Sequence, residues 1–436
     1  MKKSGLRIAV IGAGSTYTPM IVQELAARSA RLPVADLVFY DIDPGRLSIV
    51  SRFCRRLVGG DVPISSARTL RKAVEGADFV LSQFRVGGLQ ARHRDIRLGL
   101  RYGLIGQETT GVGGFAKALR TIPATLAVCR AVRRYAARDV WLVNFTNPSS
   151  IITEAVLKHG GVRCVGLCNG PWGMLKALAD ALKVDPADVE LDYVGANHFS
   201  WVRGVRVKGK DWTTRARRAH ARHLAANIPE LKLDAVFERT VGLPYSGYLQ
   251  YYYYTEKMLA KLRARKRTRA QEALAIERVL LRKYADERIR AIPEELSQRG
   301  GAGYNFVAAN VIEAIANDLA NLQIVNVANS GAVEGIERDA VLELTCRVSR
   351  SGAEPMPVGK VEARFRGLLQ AVKAYEELAV EAGVKGDLAS ALQALVIHPL
   401  GPTADRATAL LKDLLRINRV YLPQFPPAAV RRFFCT

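Results

Sequence analysis

Cys168 and His198 are the two side chains of this sequence whose types and setting best suit binding of a transition metal. Each stands in a turn marked by glycine and asparagine, at residues 166–171 and 195–199. A thiolate and an imidazole together suit several transition metals. The plainer alternatives are structural, because a cytosolic cysteine commonly packs as a small apolar residue and a histidine commonly lies satisfied in a core. We therefore take the pair as candidate metal ligands.

A glycine loop near the start of the chain, Ile11-Gly-Ala-Gly-Ser-Thr-Tyr-Thr18, indicates a dinucleotide site. Its glycines allow a tight turn and a close approach of a pyrophosphate to a helix N-terminus, although Tyr17 replaces the third glycine of the usual fingerprint. Asp41 ends the next predicted strand and is placed to accept hydrogen bonds from ribose hydroxyls, which favours NAD over NADP. The nearby Arg46 leaves NADP open, and a strand–turn–helix without a nucleotide is the plainer alternative. The candidate cofactor-binding residues are Gly12, Gly14, Ser15, Thr16, Asp41 and Arg46.

The elements that must position these side chains alternate between strand and helix up to Pro171. Apolar runs predict strands, and helical patterns lie between them. The predicted strands are residues 7–12, 36–41, 78–84, 140–145 and 163–168, and the predicted helices are 18–30, 46–58, 115–136 and 151–158. This alternation is typical of an α/β fold with a Rossmann-like, doubly wound parallel sheet.

After Pro171 the alternation stops. Two antiparallel strands are predicted at residues 191–195 and 199–207, before a largely helical remainder. The predicted helices there are residues 255–262, 269–284, 303–320, 361–382 and 387–397. We therefore predict an NAD-binding Rossmann-like domain of residues 1–171 and a substrate- and metal-binding α+β domain of residues 172–436. Because no low-complexity linker separates them, we expect a substantial interface with the active site in the cleft.

The composition of the chain indicates where the protein is located and whether it enters a membrane. The chain has 436 residues, 49% of them hydrophobic, which suits two domain cores. Its six cysteines are scattered, no apolar run reaches the roughly 18 residues of a membrane span, and the N-terminus lacks a secretory pattern. We therefore expect a cytoplasmic protein that does not enter a membrane.

The net charge of +23 would attract anions. Arginine is used heavily all along the chain, so this charge is partly a matter of composition. There is no zinc-finger spacing, no aromatic signature of an RNA-binding sheet and no basic tail. We therefore expect a phosphorylated small molecule, and not a nucleic acid, as the partner.

Several sequence blocks, in order along nearly the whole chain, resemble glycoside hydrolase family 4, the NAD- and manganese-dependent glycosidases. The cofactor loop is the first of them. The others are Arg85-Val-Gly-Gly-Leu-Gln-Ala-Arg92, Tyr102-Gly-Leu-Ile-Gly-Gln-Glu-Thr-Thr-Gly111, Asn144-Phe-Thr-Asn-Pro148, Cys168-Asn-Gly-Pro171, Asn197-His198, Tyr248-Leu-Gln-Tyr-Tyr252 and Gln298-Arg-Gly-Gly301. The resemblance implies the two-domain plan of the lactate and malate dehydrogenases. It also implies NAD and Mn²⁺, or another divalent metal, as cofactors, and a dimer or tetramer.

The resemblance implies a reaction that does not use the pair of carboxylates found in most glycosidases. NAD⁺ removes a hydride from C3 of the sugar, and the resulting ketone acidifies the proton on C2. A base takes that proton, the aglycone leaves by β-elimination, water adds, and the hydride returns. Because charge develops on oxygen, the route needs a Lewis acid, for which Cys168 and His198 are the implied ligands.

Tyr248 stands where the family carries its tyrosine base. A free tyrosine titrates near pH 10, so this one needs the field of a nearby cation to ionise. Tyrosines 251–254 offer rival hydroxyls, although they suit an aromatic packing face. Glu108 matches a family acid that raises the basicity of the tyrosine; alternatively, it is a loop carboxylate that caps a helix.

The implied substrate-binding residues are Arg92, Asn147, Asn169 and Arg269. The guanidinium groups of the two arginines suit a 6-phosphate. Arg269 also closes a run of basic residues and could equally be solvated. Asn169 is part of the Cys-Asn-x-Pro pattern of the 6-phospho-β-glucosidase branch, whereas other branches carry His or Asp there and act on α-glycosides. An amide cannot donate an acidic proton, so within the catalytic site we expect Asn169 to bind a sugar hydroxyl.

Two departures from the family pattern bear on substrate preference. Ile96 replaces an expected acid, and Gly170 replaces a bulkier residue. We therefore expect a phosphorylated β-glucoside as substrate, with an α-glucoside or α-galactoside as the alternative within the family. Outside it, a lactate- or malate-like 2-hydroxy acid dehydrogenase would leave Cys168 without a role, and a nucleotide-sensing protein without turnover would rely on the basic surface.

Overall fold

The computed structural model describes residues 5–219, 228–301 and 303–435. The strands in this part of the chain are β1 (Leu6–Ile11), β2 (Val34–Tyr40), β3 (Ile64–Ser66), β4 (Phe79–Ser82), β5 (Trp141–Asn144), β6 (Arg163–Gly166), β7 (Val189–Ala196), β8 (Phe199–Val207), β9 (Lys210–Asp211), β10 (Asn321–Ala328), β11 (Val341–Ser349) and β12 (Gly352–Pro355). The helices are α1 (Thr18–Ala27), α2 (Pro44–Val58), α3 (Leu70–Val74), α4 (Gly88–Arg101), α5 (Gly111–Tyr135), α6 (Ser149–Ala155), α7 (Gly170–Leu182), α8 (Thr213–Arg218), α9 (Ala235–Val241), α10 (Gln250–Tyr253), α11 (Thr255–Ala264), α12 (Arg269–Ala285), α13 (Glu295–Gln298), α14 (Tyr304–Asn317), α15 (Ala363–Lys385), α16 (Leu388–Ile397), α17 (Ala404–Asn418) and α18 (Pro427–Phe434). A π-helical turn (Val156–Gly160) follows α6, and 3₁₀ turns lie at Pro186–Asp188, Gly247–Leu249 and Arg419–Tyr421.

The large sheet contains the predicted parallel arrangement. Strands β3-β2-β1-β4-β5-β6 lie side by side and run parallel, in the order of a doubly wound dinucleotide-binding sheet. The α/β fold class is therefore confirmed. Beyond β6 the sheet continues through the antiparallel strands β10, β11 and β12, which the sequence reading did not predict. The sheet thus includes strands from both predicted domains, and the boundary at residue 171 stays a prediction.

Both faces of the parallel sheet are buried, which explains the nearly continuous apolar runs of its strands. Successive strand residues point to opposite faces, so β1 contributes Ile8 and Val10 to one apolar cluster and Ala9 and Ile11 to another. Helices α1, α2 and α14 supply side chains to the first cluster, and α3 and α5 to the second. The carboxyl ends of the parallel strands β1, β4, β5 and β6 meet at one edge of the sheet. Open α/β sheets bind their ligands at this edge.

A second, three-stranded sheet contains β7, β8 and β9. The pairing of β7 with β8 is antiparallel, as predicted, and the two are joined by a tight turn at residues 197–198. Tyr193 on β7 bonds through its N–H to Thr345 on β11, which anchors the small sheet beside the large one. This contact brings the β7–β8 turn to the carboxyl edge of the parallel strands. Within the described residues, no helix has the length and apolarity needed to cross a membrane.

Candidate active site

Cys168 and His198 meet at the carboxyl edge of the large sheet. Cys168 follows β6 directly, and His198 occupies the β7–β8 turn with a backbone φ of +65°. The Cys168 sulfur and His198 Nε2 lie 3.4 Å apart. A left-handed conformation in a residue other than glycine costs roughly 1–3 kcal/mol and is found most often at functional sites. The fold therefore holds this histidine in a strained position that faces the cysteine.

His198 is neutral in this environment. Burial lowers the pKa of His198 to about 3, with Lys117 acting in the same direction and Glu108 opposing it. Nδ1 lies 2.9 Å from Thr109 Oγ1, within hydrogen-bonding distance. A proton on Nδ1 that is donated to Thr109 leaves the Nε2 lone pair facing the sulfur, which is the arrangement a metal-binding imidazole needs.

The Cys168 sulfur is a buried thiol. Burial raises the pKa of Cys168 to about 12, and Glu343 raises it further, while the Asn197 side chain and the Gly170 N–H act in the opposite direction. The Gly170 N–H donates to the sulfur at 3.3 Å. A divalent cation would displace the thiol proton, because its charge inverts the local preference for the neutral form.

The surroundings of the pair fit a small cation. A cavity of about 20 Å³, room for one water-sized occupant, is lined by Cys168, His198, Asn169 and Tyr248, among others. Among the residues that the structure describes, no group of three or more His, Cys, Asp and Glu side chains could hold a metal ion. A metal held by Cys168 and His198 would therefore keep open positions for water or substrate, as catalytic metal sites do.

Tyr248 lies directly against His198. The two rings stack with 3.7 Å between their centroids and 7° between their planes, and the Gly247–Leu249 turn that carries Tyr248 is buried. Two of the four rival tyrosines have other partners: Trp201 donates to the Tyr253 hydroxyl at 3.2 Å, and the Tyr254 hydroxyl donates to Glu238 at 2.7 Å. The position of Tyr248 thus suits a base that works beside the metal ligands.

Glu108 is a largely buried carboxylate, with 12% of its side chain exposed, and cations surround it. It forms ion pairs with Arg85, with Arg92 at 3.1 Å and with Lys117 at 3.4 Å. Burial alone would raise the pKa of Glu108, but these three cations together lower it well below its ordinary value. Burial also lowers the pKa of Lys117 to about 7, which the like charge of Arg85 reinforces. Glu108 is therefore ionised, and its neighbours carry more positive charge than the single negative charge that it supplies.

The predicted cofactor loop is held in one conformation by two side chains from the second strand–helix unit. The Gly14 N–H donates to Asp41 Oδ2 at 2.9 Å, and a Cβ atom at position 14 would lie 2.8 Å from the same oxygen, so a side chain there would displace Asp41. The carboxylate of Asp41 keeps further acceptor positions for ribose hydroxyls. Ser15 is half-buried, and the buried Thr16 hydroxyl has no hydrogen-bond partner among the described residues.

Arg46 supports this loop and is not free for a ligand. Its Nε and Nη2 both donate to the Gly14 carbonyl at 3.2 Å, and its Nη1 pairs with Glu277 at 2.8 Å. A guanidinium engaged in this way has little capacity left for the 2′-phosphate of NADP. The structure therefore places Arg46 next to the cofactor loop in a positioning role, which favours NAD.

The predicted substrate-binding residues lie around the same edge. Asn147 follows β5, and its Oδ1 is buried without a hydrogen-bond partner among the described residues. Arg92 and Arg269 line a cleft of about 320 Å³ together with Glu108. Arg269 donates to the Gln298 carbonyl at 2.7 Å, so part of its donor fork is already used. The cleft is strongly basic, since its other lining residues include Arg97, Arg263, Arg265, Lys266 and Arg267.

Sequence reasoning missed several residues of this site. Arg85, Thr109 and Lys117 contact the predicted residues directly, yet none of them received a role. Arg85 and Thr109 lie inside the resembling blocks, which could have drawn attention to them. Lys117 lies within the predicted helix 115–136, where a lysine gives no sign of being buried. Asp95, beside the unusual Ile96, forms a buried ion pair with Arg120 at 2.7 Å and is structural.

Comparisons with known proteins identify a family over most of the chain. The sequence model described as family 4 glycosyl hydrolase matches residues 7–184, and that of the family 4 glycosyl hydrolase C-terminal domain matches residues 193–401. The chain is 40% identical to a probable 6-phospho-β-glucosidase of Bacillus subtilis over 435 residues, which covers 97% of this chain and 98% of that one.

Solved structures extend these similarities. The 6-phospho-β-glucosidase of Thermotoga maritima, with manganese, NAD⁺ and glucose-6-phosphate, is similar with a TM-score of 0.88 and 38% identity, over 95% of this chain and 99% of that one. The lactate dehydrogenase of Eimeria maxima shares only the fold, with a TM-score of 0.57 and 14% identity over 89% of this chain and 98% of that one. The predicted dehydrogenase-like plan is thereby confirmed.

Proposed function

Because this chain belongs to family 4 of the glycosyl hydrolases, we propose that it hydrolyses 6-phospho-β-glucosides with the help of NAD and a divalent metal, Mn²⁺ in the first place. The observation that carries the proposal is the convergence of Cys168, His198 and Tyr248 at the sheet edge that also holds the cofactor loop. The names of the similar proteins point to the same substrate class.

Cys168 and His198 are the residues proposed to hold the metal, and the loop around Gly12 and Gly14 is proposed to hold the NAD pyrophosphate. When bound, the metal supplies a Lewis acid for sugar oxygens, and NAD supplies a reversible oxidant for a sugar carbon. The protein contributes a dry, shaped environment around them, since Cys168, His198 and Tyr248 are all buried.

Tyr248 is proposed as the base that accepts the C2 proton of the sugar. Its stacking on His198 fixes the ring, so that the phenol oxygen has one direction available to it. General-base catalysis requires such positioning before any adjustment of basicity. Glu108, which pairs with three cations next to this ring, is proposed to limit the positive field around the base so that the phenol regains its proton between turnovers.

The basic cleft is proposed to bind the 6-phosphate. Arg92 is the better candidate for a direct contact, because its Nε has no partner among the described residues. Arg269 lines the same cleft but shares its donors with backbone carbonyls, so we propose it as a secondary contact. Asn147 and Asn169 are proposed to bind sugar hydroxyls, for which the buried Asn147 Oδ1 offers an acceptor.

The finer features of this proposal are the β-anomer, the oligomeric state and the compartment. Asn169 directly after Cys168 favours β-glucosides over the α-glucosides or α-galactosides of other branches. A 2-hydroxy acid dehydrogenase is the second candidate function by fold, but that activity would leave the cysteine–histidine pair without a role. We further propose a cytoplasmic dimer or tetramer.

The decisive experiment is hydrolysis of p-nitrophenyl-β-glucoside 6-phosphate by the purified protein. We expect release of nitrophenol only when NAD⁺, Mn²⁺ and a reductant are all present. The α-anomer is the control for anomer preference, and the non-phosphorylated glucoside is the control for the basic cleft. Equal rates without NAD⁺, or net formation of NADH from a hydroxy acid, would contradict the proposal.

A further inference from the structure

Glu343 is a buried carboxyl group behind the Cys168–His198 pair. Only 1% of this residue is exposed, and it lies on β11 opposite Asn326 of β10. Its Oε1 accepts hydrogen bonds from Asn197 Nδ2 at 2.9 Å and from Asn326 Nδ2 at 3.1 Å, and its Oε2 accepts from the Tyr193 hydroxyl at 3.2 Å. Within the described residues, no ion pair involves this carboxyl group. All of these hydrogen-bonding partners are neutral.

Asn197 connects this carboxyl group to the proposed metal site. It precedes His198 in the β7–β8 turn, and its side chain lowers the pKa of the Cys168 thiol, as a hydrogen-bond donor near the sulfur does. In an asparagine side chain only the amide nitrogen can donate, and it has two hydrogens. One N–H is directed to Glu343, which leaves the other for the sulfur. The backbone of the same residue is fixed as well, since the Asn197 N–H donates to Ser150 Oγ at 2.8 Å.

The amide of Asn197 could in principle turn over and present its oxygen where the nitrogen now lies. Because Oε1 of Glu343 also accepts from Asn326, a proton on this carboxyl group would sit on Oε2, and Oε1 is an acceptor in either protonation state. An amide oxygen of Asn197 facing Oε1 would therefore leave two acceptors opposed. In a buried site such an arrangement costs the desolvation of both groups. Glu343 therefore selects the amide orientation that turns an N–H toward the sulfur.

We propose that Glu343 is a positioning residue for the metal site, which acts through Asn197 to hold an amide donor on the Cys168 sulfur and to fix the turn that presents His198. The inference rests on the proposed function, in which this pair binds the metal. Partners that orient metal ligands are part of the affinity of such sites, and their loss typically weakens metal binding by about 10- to 100-fold. No other role assigned above involves Glu343.

The test is Mn²⁺ affinity, measured by electron paramagnetic resonance on the purified enzyme, with NAD affinity measured in parallel by fluorescence. We expect Glu343→Leu to raise the Kd for Mn²⁺ by about tenfold or more and to leave the Kd for NAD nearly unchanged. Glu343→Gln should stay within about threefold of wild type, because its amide oxygen can accept from both asparagines and its nitrogen can donate to Tyr193.

Two further variants separate positioning from general loss of structure. Asn197→Ala should weaken Mn²⁺ binding as Glu343→Leu does, and the double variant should be no weaker than Asn197→Ala alone, because one residue acts through the other. Asn197→Ala also serves as the test where Glu343→Leu does not fold. Glu376→Leu is the matched control, since Glu376 is a buried carboxylate that pairs with Lys373 at 2.6 Å and is not hydrogen-bonded to Asn197.

The inference is overturned if Glu343→Leu, or Asn197→Ala in its place, binds Mn²⁺ like the wild type. It is also overturned if Mn²⁺ and NAD affinity fall together, or if Glu376→Leu lowers Mn²⁺ affinity equally. Cys168→Ser distinguishes this failure from failure of the proposed function. Wild-type Mn²⁺ affinity in Cys168→Ser would remove the metal pair itself, whereas a loss there combined with unchanged binding in Glu343→Leu would remove only the role of Glu343.

Discussion

Two buried carboxyl groups flank the candidate metal pair, and their environments are opposite. Glu108 lies among Arg85, Arg92 and Lys117, whereas Glu343 accepts hydrogen bonds from amide and phenol groups. Burial by itself would raise the pKa of both acids. The cations lower the pKa of Glu108 well below its ordinary value, while the pKa of Glu343 rises to about 7 because its hydrogen bonds only partly offset burial.

The difference shows that the neighbours of a buried acid can outweigh the effect of burial on its charge. The charged side of the site, around Glu108, lines the basic cleft and is suited to bind a phosphorylated sugar. The neutral side, around Glu343, contributes amide and phenol groups, and within the described residues no ion pair involves this acid. Each acid therefore suits its own surroundings, and substitutions of Glu108 and of Glu343 should impair different properties of the protein.

Tyr248 stands where these two sides meet, and its hydroxyl is expected to give the largest single effect. Tyr248→Phe keeps the ring that stacks on His198 but removes the group that accepts the proton. We expect kcat for p-nitrophenyl-β-glucoside 6-phosphate to fall by about 10²- to 10⁴-fold. Steady-state kinetics at saturating NAD⁺ and Mn²⁺ would measure this, and Tyr251→Phe is the matched control. A variant with wild-type kcat would move the base to another residue.

Glu108→Gln is the strongest test of the charged side. The substitution keeps the shape but leaves three cations without their counter-charge, and breaking a buried ion pair in this way typically costs about 3–5 kcal/mol. Urea unfolding at neutral pH would measure the loss of the free energy of unfolding. The same change at Glu343 is the control and should cost less than about 1 kcal/mol, since its partners are neutral. Equal losses in the two variants would contradict the comparison.

The pH dependence of stability should have opposite signs for the two acids. The pKa of Glu343 is raised from its ordinary value of 4.5 to about 7. Between these two pH values the folded state keeps a proton that the unfolded state has lost. Its contribution to stability therefore falls as the pH rises through this window. Glu343→Gln cannot titrate, and we expect its stability relative to wild type to increase between pH 5 and pH 8 by up to about 3 kcal/mol.

Glu108 contributes in the other direction, because its pKa is lowered in the folded protein. Its stabilisation is present above the ordinary range of a glutamate and is lost as the pH falls through and below that range. Unfolding of wild type, Glu108→Gln and Glu343→Gln at pH 4, 5, 6, 7 and 8 would separate the two. A constant difference between Glu343→Gln and wild type at all these pH values would show that Glu343 does not titrate in this window.

The sequence could predict what short-range pattern and residue type determine. The parallel strands, the glycine loop and the two turns that carry Cys168 and His198 are local signals, and the structure brings the two turns together. Lys117 lies in the first half of α5, where every residue from Gly111 to Ile122 is buried, and no local pattern reveals that this lysine pairs with Glu108. Both sides of the site also depend on residues far apart in the chain, such as Asn197 and Glu343.

Strand β11 was missed for a different reason. Leu342, Leu344, Cys346 and Val348 are buried at every second position, which is the alternation of a strand with one covered face. The end of the strand–helix alternation at Pro171 predicts a separate, mostly helical domain, whereas β10, β11 and β12 extend the first sheet. In the sequence, Glu343 occupies a polar position of this alternation, so the local pattern gives no sign that it is buried.

The smallest expected effect is at Gly170, the residue that departs from the family pattern beside the sulfur. A Cβ atom at this position would lie 3.4 Å from the Cys168 sulfur, which is an ordinary contact, and the backbone there needs no left-handed conformation. Gly170→Ala should therefore change the free energy of unfolding by less than about 1 kcal/mol. We also expect kcat/KM and Mn²⁺ affinity within about threefold of wild type, equivalent to roughly 0.7 kcal/mol. Chemical unfolding and the nitrophenyl assay would measure both. A tenfold loss of Mn²⁺ affinity would mean that the neutral side has no space for a methyl group when the metal is bound, and that the glycine is there to admit the metal.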